Sequence, residues 1–358
     1  WRGTMIVDEN TSLEATMTLY CGIDLHSNNS VICVINDKDK RLLETKVDNK
    51  AELVIKALSR YKKRLKAVAV ESTYNWYWLV DSLKEAGFNV LLVNTAKVVQ
   101  YSGLKRTDDR YDAFHLAHLM RLDILPTGYI YPKATRGLRD LVRKRIQLVQ
   151  DRSREIIRMK SFIPLHTGET VKAASVKAKK FSLPVFGDQN TQLSLKSSII
   201  VIRSLTQQIK AIEKAILQQL ESSESFANLK TVPGIGDVLA ETILLEAGDI
   251  SRFDGPGNFA SYARCVESRR TSNGKSKGQN NRKNGNRYLA WAFIEAANFA
   301  IRRSEKAKRF YQQKSKATNV VVAGKRWLTR LRERATGLCE KERLTTKAGF
   351  SLKVGGAG

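Results

Sequence analysis

The order of apolar segments in residues 18–93 most constrains what this chain can fold into. TLYCGIDLH and SVICVIND have the composition of two apolar strands joined by a short polar turn, and RLLETKV follows as a third strand. Such short connections predict an antiparallel meander. Beyond it, KAELVIKALSRYKK and NWYWLVDSLKEAG have helical apolar spacing, whereas LKAVAVE and FNVLLVN are short buried strands. The predicted order is three strands, helix, strand, helix, strand, helix.

This is the element order of ribonuclease H-like domains, so we expect a mixed sheet with helices against it. Acidic residues fall where the predicted strands end. Asp24 closes the first strand and Glu71 closes LKAVAVE, which we expect to be its neighbour in the sheet. Asp109 and Asp112 lie at the start of a helix predicted from about Tyr111, and their three-residue step puts both on one face. The four carboxylates are therefore expected to converge at one edge of the sheet.

Carboxylate oxygens in such a cluster are the ligands that Mg²⁺ or Mn²⁺ prefers. Two ions about 3.5–4 Å apart would hold the attacking and leaving oxygens of a phosphodiester. Each acid alone has an ordinary alternative, an N-cap or a solvated strand end, so the prediction rests on their combination. Asp108 competes with Asp109 as ligand, and we prefer Asp109. A histidine beside a helical face usually serves packing or hydrogen bonding, so no metal role is assigned to His26, His115 or His118.

The excess of positive charge indicates which class of molecule the protein binds. The chain has 62 Lys and Arg against 35 Asp and Glu, a net charge of +27. A folded chain this basic most often meets a polyanion, with nucleic acid first and a membrane surface second. No segment approaches the ~20 consecutive apolar residues that a membrane span requires. No GxxxxGK[ST] loop is present, so an ATP-driven motor is unsupported.

The spacing of the cysteines and the composition of the first residues indicate in which cellular compartment the protein is expected. Cys21, Cys33, Cys265 and Cys339 show no CxxC spacing, which disfavours a structural zinc site and a disulfide framework. Residues 1–17 have no apolar signal region, and we treat them as an N-terminal extension, with Met5 or Met17 as candidate start residues. We expect a cytoplasmic protein with reduced thiols.

Helical segments follow the predicted sheet domain of 18–132. Residues 134–164 form one predicted helix in which nine Lys or Arg face three acids, a sign bias that favours a nucleic-acid contact over a merely solvated face. Residues 165–190 have linker composition. Residues 191–222 form a second long helix with an apolar stripe, which fits either an antiparallel hairpin with the first helix or a coiled coil with another subunit. The connector therefore spans 133–222.

A further domain is predicted over 223–312, ahead of a C-terminal helix and flexible tail at 313–358. Its VPGIG turn, with Gly234 and Gly236, resembles the hairpin of helix–hairpin–helix modules, whose backbone amides meet DNA phosphates. Residues 269–287 then form a basic stretch without acids or aliphatic residues, expected to hold a nucleic-acid backbone by charge. Its basic residues are Arg269, Arg270, Lys275, Lys277, Arg282, Lys283 and Arg287. The stretch alone leaves two readings open, simple binding or catalysis.

Two sets of motifs resemble one family. CGIDLH, VEST at 70–73 and TDDRYDAFHLAHLMRLDILPTGYIYP at 107–132 are similar to the RuvC-like half of the DEDD-type insertion-sequence transposases, a group that includes the Piv-type DNA invertases. VPGIGDVLAETILLEAGDISRF, FASYARC and the segment from SNGKSKG to ANFAIR resemble that family's second conserved domain. The resemblance covers most of 18–312, with both blocks in the family's order.

The resemblance implies a recombinase that moves a DNA element, guided by a bridge RNA. It implies that Asp24, Glu71, Asp109 and Asp112 are the metal-binding tetrad, and that Ser272 of TSNG is the nucleophile forming a phosphoserine ester. Family members often have two adjacent serines before the glycine, whereas this chain has Thr271, Ser272 and Asn273 there. Ser272 is preferred over the other nearby hydroxyls, those of Thr271, Ser268 and Ser276. It further implies a composite active site in a homodimer or tetramer.

Two other functions use the same residues. In a metal-dependent structure-specific nuclease the four acids suffice, water attacks, and Ser272→Ala leaves cleavage intact. In a nucleic-acid-binding regulator with a dead catalytic fold, Asp24→Ala leaves binding and biological effect unchanged. The intact acidic tetrad speaks against the second of these.

Overall fold

The computed structural model describes residues 17–98, 109–178, 181–182, 184–266, 271–278 and 284–317. The chain divides into two compact units, Trp1–Lys133 and Ala134–Gly358. None of the helices in these described ranges combines the length and apolar character that crossing a membrane requires.

The first unit is built on a six-stranded sheet with the order β3-β2-β1-β4-β5-β6. The strands are β1 (Leu19–Leu25), β2 (Asn29–Ile35), β3 (Arg41–Asp48), β4 (Leu65–Glu71), β5 (Val90–Val93) and β6 (Thr127–Gly128). β1 to β3 pair antiparallel, which confirms the predicted meander. β4 lies parallel to β1 and β5 parallel to β4, whereas β6 is antiparallel to β5.

Helices pack on both faces of this sheet. They are α1 (Ala51–Ser59), α2 (Tyr77–Glu85) and α3 (Asp109–Arg121), with a short 3₁₀ turn at Thr95–Lys97. Because successive side chains of a strand point to opposite faces, Cys21 and Ile23 of β1 join the core beneath α1 and α2. The other face packs on α3 through Ala113 and Ala117. The arrangement is consistent with the expected RNase H-like domain.

The second unit is helical in its described residues, apart from one small hairpin. Its helices are α4 (Lys133–Thr167), α5 (Ala173–Lys177), α6 (Gln189–Leu220), α7 (Glu224–Lys230), α8 (Asp237–Ala247), α9 (Pro256–Tyr262), α10 (Arg287–Arg303) and α11 (Glu305–Ala317). A 3₁₀ turn at Ile250–Arg252 precedes α9, and strands β7 (Thr271–Ser272) and β8 (Lys275–Ser276) form the hairpin. The two long helices agree with those predicted at 134–164 and 191–222.

The long helices α4 and α6 pack as an antiparallel hairpin within the chain. Near one end Arg145 donates to Glu213, and toward the other end Ser198 donates to Glu155. The apolar stripe of α6 is therefore covered by α4 along this length, with Ile156 and Ile199 in one shared cluster. Of the two alternatives left by the sequence, the structure shows the hairpin.

Some arginines of α4 pair with acids of other helices, and others are exposed and pair within α4. Arg139 and Arg143 pair with Glu246, Arg145 pairs with Glu213, and Arg154 and Arg158 pair with acids one turn away on α4. The nucleic-acid contact predicted for this helix stays a prediction. Two of the partner acids lie outside residues 134–164, so the sign bias of that segment overstated its free positive charge.

Glu246 is a fully buried carboxylate that joins three parts of the second unit. It accepts hydrogen bonds from Arg139 (3.1 Å) and Arg143 (2.9 Å) on α4 and from Asn286 Nδ2 (2.6 Å) before α10. Asn286 Oδ1 in turn caps α10 by accepting from the backbone of Tyr288 and Leu289. Burial favours a higher pKa for Glu246, but the hydrogen bonds and charges of its partners lower that pKa below its usual value.

Candidate active site and metal centre

The acids of the first unit are brought together by strand register. Ile23 of β1 is paired with Val70 of the parallel strand β4. Asp24 and Glu71 therefore follow side by side at the same edge of the sheet, as predicted. Asp24 is only 4% exposed, and burying such a carboxylate costs free energy unless a partner or a cation compensates for its charge.

Helix α3 reaches this edge because β1 carries a glycine beneath it. A Cβ at Gly22 would lie 2.8 Å from Ala117 N and closer still to the carbonyl oxygen of Ala113. The missing side chain lets the helix backbone rest directly on the strand. The first turn of α3, with Asp109 and Asp112, is thereby held beside Asp24.

Three ligand-type atoms meet at the sheet edge. His26 Nε2 lies 3.1 Å from Asp24 Oδ2 and 3.3 Å from Asp109 Oδ2. Ligand atoms of these three residues all lie within 4.8 Å of one another. Lys46 Nζ, on strand β3, is 3.8 Å from Asp109 Oδ2 and offsets part of the negative charge.

Of the other two acids, Glu71 adjoins Asp24, and the charge of Asp112 acts on Glu71. Burial, a hydrogen bond shared with Asp24, and the charges of Asp24 and Asp112 together raise the pKa of Glu71 to about 8. Carboxylates crowded in this way disfavour full ionisation. A bound cation relieves that repulsion, so the same crowding favours a metal ion. Asp24 thus has His26 and Asp109 as one set of neighbours, and Glu71 as another.

These residues fit a divalent metal ion. Ligand atoms at adjacent corners of an octahedral ion with bonds of 2.0–2.1 Å are about 3 Å apart, close to the two distances from His26 Nε2. The Nε2 atom is buried and makes no hydrogen bond of good geometry to any residue described. Asp24, Asp109 and His26 could hold one ion. Glu71, which adjoins Asp24, and Asp112, whose charge acts on Glu71, could help to hold a second.

The structure departs from the sequence-based expectations at two points. Asp109 is itself the first described residue of α3, two residues before the predicted start, and Asp108 lies outside the described residues. His26 was given no metal role, yet its Nε2 lies within the acidic cluster. A signal for it exists in the sequence. Asp24 and His26 are two residues apart at a strand end, the spacing that places side chains on one face.

Ser272 lies in the second unit, at the end of a short β-hairpin. The residue pairs Thr271 with Ser276 and Ser272 with Lys275 flank a two-residue turn. The turn residues Asn273 and Gly274 have φ of 52° and 72°, the pattern of a type I′ turn, for which Asn-Gly is the favoured sequence. The Ser272 side chain is exposed at this position. This part of the basic stretch is an ordered hairpin rather than an irregular loop.

The predicted nucleic-acid contacts fall into three groups. Lys275, Lys277 and Arg287 are exposed, and Gly236 has open space around it at the start of α8. Gly234 has a packing role, since a Cβ there would lie 2.7 Å from Ala300 N of α10. Four other basic residues, Arg269, Arg270, Arg282 and Lys283, lie outside the described residues.

Comparison with known proteins assigns both halves of the chain to one group. Residues 21–166 match a family model for the DEDD domain of IS110 transposases, described as a transposase. Residues 226–312 match a second model, described as the transposase IS116/IS110/IS902 family. The two matches together cover more than half of the chain and follow the order of the two units.

Three curated proteins are similar to the chain. The transposase for insertion sequence element IS1533 of Leptospira borgpetersenii is 25% identical over 245 residues, covering 64% of this chain and 70% of that protein. An IS116 protein of Streptomyces clavuligerus is 23% identical, covering 41% of this chain and 37% of that protein. An IS110 protein of Streptomyces coelicolor is 30% identical, covering 35% of this chain and 30% of that protein.

The acidic sheet edge and the two family matches define a transposase, a class that cuts and rejoins DNA. The chain belongs to the IS110/IS116/IS902 family of insertion-element transposases. The DEDD domain of this family suggests dependence on a divalent metal, and the cluster at Asp24, His26 and Asp109 is a possible site for it.

Proposed function

We propose that this protein mobilises an insertion element by cutting and rejoining DNA through a covalent serine–DNA intermediate. The observation that carries the proposal is the meeting of Asp24 and Asp109 at one sheet edge, with Glu71 beside Asp24 and the charge of Asp112 acting on Glu71, in a chain of this family. Such a cluster suits phosphodiester chemistry because it can hold divalent cations beside a polyanionic substrate. Mg²⁺ or Mn²⁺ is the proposed ion, and when bound it would stabilise charge developing on the phosphate.

The role proposed for Ser272 comes from the resemblance of TSNG to the family's serine segment, and its exposed position on the hairpin is compatible with it. Its Oγ forms a bond to the scissile phosphorus while the bond from phosphorus to a deoxyribose oxygen breaks. The proton lost by the hydroxyl is balanced by the proton gained by the leaving oxygen. One phosphodiester replaces another, so the strand can later be rejoined without ATP. Lys275, paired with Ser272 in the hairpin, supplies positive charge for the phosphate.

The remaining basic residues position the DNA backbone in this proposal. Exposed Lys277 and Arg287 lie on either side of the segment that also holds Arg282 and Lys283, and Arg269 and Arg270 precede the hairpin. The open amide end of α8 at Gly236 offers a further phosphate contact. Contacts of this kind fix the register of the DNA and carry no sequence information.

A guide RNA and a composite active site in a dimer or tetramer are part of the same proposal. The net charge of +27 supports a polyanionic partner and does not distinguish DNA from RNA. The acids and Ser272 belong to different units of the chain, an arrangement that a composite site could use. Sequence selection would then come from base pairing by the RNA rather than from side chains.

A denaturing-gel assay tests the proposal. Full-length protein, Mg²⁺ and a flanking RNA are incubated with labelled element-junction DNA, for wild type, Ser272→Ala, Asp24→Ala and the control Ser276→Ala. We expect a protease-sensitive protein–DNA adduct with wild type and Ser276→Ala, and none with the other two. Cleavage that persists without an adduct in Ser272→Ala would instead support a metal-dependent nuclease. Binding without cleavage by any form would leave only a nucleic-acid-binding role.

A further inference from the structure

The histidine nitrogen within the acidic cluster faces two carboxylates without a hydrogen bond of good geometry to either. The His26 imidazole is 37% exposed, but its Nε2 atom is buried and makes no hydrogen bond of good geometry in the described part of the chain. Carboxylate oxygens of Asp24 and Asp109 lie 3.1 Å and 3.3 Å away. A buried polar atom of this kind costs free energy unless a further group satisfies it.

The position of His26 is fixed by its backbone. Its N–H donates to the carbonyl of Asn29 at 2.9 Å. Its carbonyl accepts from Asn49 Nδ2 at 2.9 Å and from Asn75 Nδ2 at 3.0 Å. These bonds tie the residue after β1 to the segments that follow β3 and β4. The imidazole is therefore presented from a fixed backbone, as a preorganised metal ligand requires.

We propose that His26 Nε2 binds the metal ion directly together with Asp24 and Asp109, and that this nitrogen makes the site select Mn²⁺ over Mg²⁺. The inference rests on the proposed metal site of the transposase and goes beyond it by naming a fifth ligand and the preferred ion. Mg²⁺ is a hard ion that prefers oxygen ligands and sheds its water reluctantly. Mn²⁺ is the weakest binder of the first-row series and shares the carboxylate preference of Mg²⁺. As a softer transition-metal ion it nevertheless accepts an imidazole nitrogen more readily than Mg²⁺ does, so the added nitrogen favours Mn²⁺.

Binding of Mn²⁺ to the full-length protein, followed by electron paramagnetic resonance, tests this directly and needs no DNA. Titration gives the Mn²⁺ affinity from the free-ion signal, and Mg²⁺ competition gives the affinity ratio. Electron spin-echo modulation detects a ¹⁴N nucleus bound to Mn²⁺. The chain has four histidines. The matched control is His166→Gln, an exposed histidine in the second unit.

We expect nitrogen modulation in the wild type and in His166→Gln, and its loss in His26→Gln. Mn²⁺ binding in His26→Gln should weaken by about tenfold or more, while Mg²⁺ binding changes less. His26→Asp supplies an oxygen in place of the nitrogen. It should bind Mg²⁺ at least as well as the wild type, with no nitrogen signal and a lower preference for Mn²⁺.

Three results would overturn the inference in whole or in part. Bound Mn²⁺ without nitrogen modulation in the wild type would mean that His26 is only a charge partner of the two carboxylates. Modulation that survives in His26→Gln would assign the nitrogen to another residue. Either result leaves the proposed function standing. If the protein cleaves DNA in Mg²⁺ but does not bind Mn²⁺, the proposed preference for Mn²⁺ is wrong. The acidic metal site itself would still stand.

Discussion

Replacing Gly22 by alanine tests whether close packing of α3 on β1 builds the acidic site. The added Cβ would lie 2.8 Å from Ala117 N and 3.0 Å from Leu116 Cβ. Comfortable separations of heavy atoms are about 3.5–4.0 Å, so the helix must retreat by roughly 0.7 Å and by more near Ala113. The obstacle is largely backbone, which cannot swing aside as a flexible side chain would.

Overpacking of this kind costs about 1–3 kcal/mol, and we expect Gly22→Ala to fall at the upper end. The larger effect should be on function, because α3 carries Asp109 and Asp112 while β1 carries Asp24. A displacement near 1 Å between catalytic groups can lower a rate by about 10²-fold. We therefore expect Gly22→Ala to remain folded and to lose most of its DNA cleavage.

Hydrogen-exchange mass spectrometry of the full chain measures the local effect, alongside Mn²⁺ affinity. The matched control is Gly128→Ala in the same sheet, where the added Cβ would meet Leu92 O at an ordinary 3.6 Å. We expect faster exchange in α3 and weaker metal binding for Gly22→Ala only. Equal exchange and equal affinity in the two variants would refute the role given to this glycine.

Three further predictions concern the second unit. Glu246→Gln removes the buried α8 carboxylate charge that pairs with Arg139 and Arg143, and should destabilise this unit by about 3–5 kcal/mol, seen as a lower thermal midpoint. Because the folded pKa of Glu246 is lowered, its stabilisation is present above its unfolded pKa of about 4.3 and lost as pH falls through the folded value. The stability difference between wild type and Glu246→Gln should therefore shrink below about pH 4. A Cβ added at Gly274 would meet no atom, but the backbone φ of this residue is 72°. Gly274→Ala should therefore strain the turn by about 1 kcal/mol and reduce adduct formation, whereas Asn273→Gly should not.

The first sheet could be predicted because its strands are short, apolar and joined in ways that allow few topologies. Asp24 and Glu71 end adjacent parallel strands, so their proximity followed once that pairing was correct. Gly22 could not be predicted in the same way. Its role depends on how closely α3 approaches β1, which is a property of packing and leaves no periodic pattern in the sequence.

The long helices show what periodicity leaves open. The apolar stripe of α6 indicates a buried face but not what covers it, so an intrachain hairpin and an intersubunit coiled coil were equally compatible. Charge counting along α4 is incomplete for a related reason. The acids that pair with Arg139 and Arg145 are Glu246 and Glu213, far away in sequence, so only the folded chain brings them together.

The basic stretch of residues 269–287 contains a turn sequence in addition to its positive charge. Asn273 and Gly274 form the dipeptide most typical of a type I′ hairpin, and the structure has that hairpin. Its charge alone predicts a segment that binds phosphate or acts on it and does not predict the hairpin. Local turn chemistry and overall charge are independent observations, and both apply to this segment.

The most direct test of the central claim is to locate the DNA-linked residue by mass spectrometry. The adduct formed by the full-length protein on element-junction DNA is digested with nuclease and trypsin. Cleavage after Arg270 and Lys275 releases TSNGK, and fragmentation separates Thr271 from Ser272. The account predicts a phosphonucleotide on Ser272, and its absence from Asp24→Ala. A nucleotide on another residue, or DNA cut with no covalent adduct, would contradict it.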